Sequence, residues 1–152
     1  MNTEAADGGL LVRREVGLDL AQTILQGVRE EAARRGVAMG AGVVDLGGRT
    51  VAALRMDGAQ VPALDLALDK AFTAVSFGFP TEFWATSTRP DGSDWGLSTA
   101  LGGRFVVFAG GLPILAGGAL AGGLGVSGAA SDVDRACAEA GLRAAGLEVG
   151  EG

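Results

Sequence analysis

Five groups of residues in this 152-residue chain are of types that do chemistry. The first is Lys70, the only lysine beside eleven arginines. It lies in VPALDLALDKAFTAVSFGF, where Asp65, Asp69 and Ser76 share one polar helical stripe. At ~100° per residue, Lys70 falls about 140° from Asp65, among Leu66, Ala67, Ala74 and Phe77. An amine turned toward apolar neighbours serves as a ligand contact or, with a lowered pKa, as a base. The structural alternative is a snorkelling lysine or one buried ion pair. The second group is Arg55-Met56-Asp57, at a strand end a few residues before that helix. Asp57 is the favoured partner for Lys70 and Arg55 its alternative. Charges at a strand end also serve simply as solvated turn residues.

The third group is Gly123-Leu124-Gly125-Val126-Ser127-Gly128, with G-x-G-x-x-G spacing between a strand and a helix. A dinucleotide site needs a further parallel strand carrying an acidic residue, and the chain ends before one. What remains is close backbone packing, or amides near Gly125, Ser127 and Gly128 holding a ligand carboxylate at the helix start. The fourth group is Trp84 and Trp95, which flank the polar loop TSTRPDGSDWGLSTA and read as packing or as ligand-pocket walls. The fifth is Cys137, which shares a helical face with Val133, Ala136 and Ala140 and reads as a buried, inert thiol.

The absences narrow the chemistry further. There is no His and no Tyr, which removes the commonest general base, the commonest metal ligand and both imidazole and tyrosinate haem ligation. One cysteine excludes an internal disulfide and a cysteine zinc cluster. No metal and no cofactor is expected. Cofactor-free isomerisation, cyclisation or hydrolysis remains, with Lys70 as base or cation and Arg55 or Asp57 beside it. The net charge of −6 and a pI near 4.6 argue against nucleic acid as a partner. No basic cluster exceeds a pair, so an anionic membrane is also a poor partner. No signal segment or membrane span is read, and the cytoplasm is the expected compartment.

These groups are positioned by a regular series of elements. Residues 1–17 read as a flexible arm, residues 18–147 as one domain and residues 148–152 as a tail. Leu20, Ile24, Val28 and Ala32 predict a helix over residues 19–35, with Asp19 and Gln22 as a capping box and Gly36 as its stop. Strands are predicted at 37–45 and 49–56, around a turn at Gly47-Gly48. A second helix follows at 62–77, then a short helical turn at 80–84. Further strands are predicted at 104–109, 112–115 and 119–126, around turns at Gly110-Gly111 and Gly117-Gly118. A last helix starts at Ser131, with Asp134 as the second half of its cap. The fold class is α/β (α+β): a five-stranded, mainly antiparallel sheet with flanking helices, in the order α-β-β-α-β-β-β-α.

Several stretches together resemble one known family. VVDLGGRTVAALRMDGA at 43–59 is similar to the first hairpin of the GlcG/HbpS, or haem-degrading domain, family. DLALDKAFTAVSFGFPT at 65–81 resembles its helix with a Lys-Ala-x-Thr-Ala core. GGLPI, GVSGA and the D-x-x-C-A-E-A-G-L run through Leu142 resemble its closing segment. The matches run from about residue 18 to 146. The resemblance implies a five-stranded antiparallel sheet like that of profilin and roadblock modules, and homo-oligomers built from dimers. It implies haem as the ligand in some members. The function expected is binding of a small organic molecule, with or without turnover; haem binding and a purely structural assembly domain are the rival readings.

Overall fold

The structure is a computed structural model and describes residues 4, 5 and 7–150. Helix α1 spans Leu18–Arg35 and buries Ala21, Ile24, Leu25, Val28 and Ala32, the four-residue repeat seen in the sequence. Its N-cap is Gly17, with no side-chain cap, so Asp19 does not close a capping box. Gly36 ends it in the left-handed conformation, with φ 69°, and its N–H reaches back to Ala32 and Ala33. Strands β3 (Gly40–Val44) and β4 (Thr50–Arg55) form a hairpin. Asp45 shapes the turn: its Oδ1 accepts the N–H groups of Gly47 and Arg49 at 2.9 and 3.0 Å.

Helix α2 covers Ala63–Phe77. Strands β5 (Gly111–Ala116) and β6 (Ala119–Ser127) form the second hairpin, and α3 runs over Ser131–Ala144. The sheet is fully antiparallel in the order β4-β3-β6-β5. Two short strands, β1 (Glu4–Ala5) and β2 (Leu11–Val12), pair apart from it.

Each face of the sheet has its own helical cover. Ala41, Val43, Leu112, Ile114, Leu124 and Val126 pack in one core with Ile24, Val28, Cys137 and Leu142 of α1 and α3. The opposite face is rich in glycines, with Val44 packed on Ala71 and Val75 of α2. A Cβ at Gly125 would collide with the Ala67 carbonyl oxygen, and one at Gly40 would lie 2.6 Å from backbone atoms of Ala63 and Leu64. Helix α2 therefore rests directly on the strand backbones, which only glycine permits.

The fold class holds, but the sheet has four strands rather than five. Residues 104–109 form no strand. A side chain of α2 takes part of their backbone instead: Thr73 Oγ1 accepts the Val106 N–H at 3.0 Å, with its own proton 2.8 Å from Asp69 O and 3.2 Å from Arg104 O as alternative acceptors. Phe105 packs edge-on against Phe77 and Trp84. Gly110-Gly111 is accordingly not a hairpin turn but the lead into β5. No helix among the described residues is long and apolar enough to cross a membrane.

Candidate functional site

Lys70 is the most deeply placed charge in the fold, with 0% of its surface exposed. Its helical position turns it to the sheet, as the spacing predicts, but its partner is not Asp57. The ammonium donates to Asp134 Oδ2 at 2.8 Å and to Val126 O at 3.0 Å, and sits 5.0 Å from the centre of the Phe108 ring. Asp134 is itself 2% exposed, and its second oxygen accepts the Ala129 N–H at 2.9 Å. Burial pushes the Lys70 pKa below its ordinary value, and Asp134 opposes that shift by hydrogen bond and charge. Gly110 closes over the pair; a Cβ there would stand 2.8 Å from the lysine nitrogen. The arrangement ties α2, β6 and α3 together and leaves no room for a substrate.

Asp134 also changes the account of the glycine-rich segment. Ala130, not Ser131, is the N-cap of α3, and it makes no side-chain cap. Asp134 turns inward instead of completing a capping box. The Ala129 N–H thus binds a carboxylate that the protein itself supplies. Gly125 carries the helix contact, Ser127 is buried opposite Gly40, and Gly128, at φ 147°, lies against Ala38 and Met39. Trp84 joins Phe77, Phe79, Phe83 and Phe105 in an aromatic cluster. Trp95 stands 63% exposed on its loop and makes no ring contact with Trp84. Trp84 is thus held in the aromatic cluster while Trp95 stands apart on the exposed loop.

Arg55 and Asp57 lie elsewhere, on an open groove of about 620 Å³ between α1 and β4. Gln22, Gln26 and Arg29 form its helical wall, spaced to share one face of α1. Leu25, Ala52, Leu54 and Met56 form its floor, and Arg55 and Asp57 its far rim. Ala53 and Arg55 pair with Gly42 and Gly40, so their side chains take the α2 face, while Leu54 and Met56 face α1. Arg29, Arg55 and Asp57 form no salt bridge among the described residues. The groove's size suits a small organic ligand, and a lining in which Gln22, Gln26, Arg29, Arg55 and Asp57 stand beside the apolar floor suits a ligand with a polar end. Sequence reasoning missed Gln22, Gln26 and Arg29 because a polar helical stripe reads as ordinary solvent face. It missed Asp134 because a carboxylate three residues after a serine reads as a cap.

A family model for haem-degrading HbpS-like proteins matches residues 16–143. The chain belongs to the HbpS-like family. A 15.0 kDa protein from the dhaT-dhaS intergenic region of Citrobacter freundii is 36% identical over 127 residues, covering 84% of this chain and 89% of that one. The solved structure of Klebsiella pneumoniae ORFY aligns with a TM-score of 0.89 at 30% identity, over 93% of this chain and 97% of its own. A PduOC:haem complex aligns at 0.85 and 27% identity, over 90% and 99%. This member of the HbpS-like family offers haem little to hold. Cys137, Met39 and Lys70 are each 0% exposed, and the Lys70 ammonium is already bonded. Met56 borders the groove, but its sulfur accepts the Met39 N–H at 3.4 Å. Among the described residues no accessible strong axial ligand remains, and the side chains present do not fit ligated haem. Nor do those residues hold any cluster of acidic or cysteine side chains suited to a metal ion.

Proposed function

We propose that this HbpS-like protein binds a small organic molecule with an anionic end in the groove between α1 and β4. The observation that carries this is the groove itself: an apolar floor of Leu25, Leu54 and Met56 beside the Gln22 amide and Arg29, a guanidinium with no salt bridge among the described residues, while the Gln26 amide donates to Glu30 at 2.9 Å. A carboxylate or similar group pairs with Arg29, and the apolar body of the ligand covers Leu54 and Met56. Asp57 is the only carboxylate lining the groove among the described residues. Any acid–base turnover at this site falls to it rather than to Lys70, whose role in this reading is structural. The protein purified under native conditions is first analysed by native mass spectrometry for a retained ligand. It is then screened against small carboxylates by thermal shift. A carboxylate that raises the melting temperature of the wild type and fails to do so for Arg29→Ala, at unchanged ligand-free stability, is the expected result. A ligand whose shift is the same in both proteins overturns the assignment.

A further inference from the structure

The α1–β4 groove has a direction, set by how the chain enters and leaves α1. Before the helix, the Val16 N–H donates to Ala121 O at 2.8 Å, and Glu15 Oε2 accepts the Leu46 N–H at 3.1 Å. That end of α1 lies beside the turn from which β4 starts. After the helix, Met39 O accepts the Met56 N–H at 2.9 Å and Gly40 pairs with Arg55, so the chain returns to where β4 ends. Helix and strand therefore run the same way. Gln22 and Arg29 follow one another along one wall as Ala52, Leu54 and Asp57 do along the other. Gln22 stands toward Ala52, and Arg29 toward Asp57.

The positive and the negative charge of the groove thus share one end. Asp57 follows the close of β4, where Gly58 turns the chain at φ 82°. Arg29 and Asp57 both line the groove, yet no salt bridge joins them among the described residues. The Arg55 side chain takes the α2 face of the sheet and does not neutralise Asp57. A guanidinium and a carboxylate that face one space without meeting suit a group that carries both charges. A lone anion there would pair with Arg29 and be repelled by Asp57.

We propose that the ligand of this groove is an α-amino acid with an apolar side chain, a class that rests on the reading of the groove as a small-molecule site. Its carboxylate pairs with Arg29 and its ammonium with Asp57. Both groups hang from one carbon, as two charges at one end of a groove require. Its side chain runs from there over Met56 and Leu54 toward Ala52. At ~3.3 Å per residue that floor is about 13 Å long, ample for the larger apolar side chains. A ligand with its charges at opposite ends would fit worse. Its ammonium would reach Gln22, and among the described residues only Asp57 lines the groove with a carboxylate.

Calorimetric titration of the full chain tests this with ligands that share one carbon skeleton. L-leucine is compared with 4-methylpentanoate, which lacks the amine, and with 3-methylbutylamine, which lacks the carboxylate. L-methionine and L-phenylalanine are run against 4-(methylthio)butanoate and 3-phenylpropanoate. At least one amino acid should bind about tenfold or more tighter than its own acid, and the amine more weakly than either. Asp57→Asn keeps a residue suited to the turn. It should abolish that preference by weakening the amino acid, while the acid binds no worse and the ligand-free melting temperature is unchanged. Acids that bind through Arg29 while no amino acid exceeds them overturn the proposal and leave the anionic-ligand reading standing. An amino-acid preference that survives Asp57→Asn also overturns it, because the ammonium is then held elsewhere. Binding of none of these compounds overturns it as well, and leaves the broader reading to carboxylates of other shapes.

Discussion

A lysine removed from water keeps its charge only where an anion meets it, and Lys70 meets Asp134 under a glycine roof. Removing either partner strands the other as a buried charge. Asp134→Ala and Lys70→Met should each lower the unfolding free energy by about 3–5 kcal/mol. The double variant should lose less than the sum, and urea denaturation of all three measures the coupling. The pH dependence has a definite sign. The folded pKa of Lys70 is lowered, chiefly by burial, so below the ordinary lysine pKa the unfolded chain binds more protons than the folded one. Stability from this residue therefore rises with pH as the ordinary value is approached. Relative to the double variant, the wild type should gain stability as pH rises toward the ordinary lysine pKa of about 10.4; a relative loss on that approach contradicts the assignment. The same burial decides the haem question. With Cys137, Met39 and Lys70 enclosed, haemin titration should give no sharp low-spin Soret band at stoichiometric haem. A sharp band would require a ligand from Met56 or an opened core.

Helix α2 meets the sheet through bare backbone, and this contact is where sequence and structure are most closely tied. Gly125→Ala forces a methyl group into the Ala67 carbonyl of a helix that cannot move without disturbing Gly123 and Gly40 as well. We expect a loss of about 3 kcal/mol or more, the upper end of overpacking, read as a lowered urea midpoint. The helices, both hairpin turns at Gly47-Gly48 and Gly117-Gly118, and the inward turn of Lys70 were all legible, because apolar spacing and glycine placement are local signals. The non-strand at 104–109 was not. Its apolar run Phe105-Val106-Val107-Phe108 looks like a strand, and what diverts it is Thr73, thirty-odd residues away, whose hydroxyl accepts the Val106 N–H. The Lys70 partner was misread for the same reason: Asp57 is near in sequence, whereas Asp134 arrives only when α3 folds back over β6. The groove was not read from the sequence, which singled out Arg55 and Asp57 only as neighbours of Lys70. Its α1 wall is indistinguishable from a solvated stripe until β4 is placed opposite.

At the scale of the whole molecule, the segment between α2 and β5 is the part with least regular structure, yet it is tied at several points. Thr81 Oγ1 donates to Phe108 O at 2.7 Å and accepts the Gly111 N–H at 3.1 Å, joining the segment to the start of β5. Thr73 holds residue 106, Asp69 pairs with the Arg104 guanidinium, and Phe105 closes against Phe77 and Trp84. Arg135 of α3 pairs with Glu82, so the third helix also grips it. A segment attached to α2, β5 and α3 should not melt alone, and a domain of this size should unfold in one step. The two tryptophans make this testable. Trp84 sits inside the aromatic cluster and Trp95 stands in solvent, so Trp95→Phe leaves a single emitter that reports the segment. At one fixed protein concentration, its urea transition should superimpose on the far-ultraviolet circular dichroism transition, which reports the three helices. An earlier fluorescence midpoint would show the segment opening as a separate unit and would place the weakest part of the fold beside Phe79 and Phe83, which are stacked at 4.2 Å and half exposed.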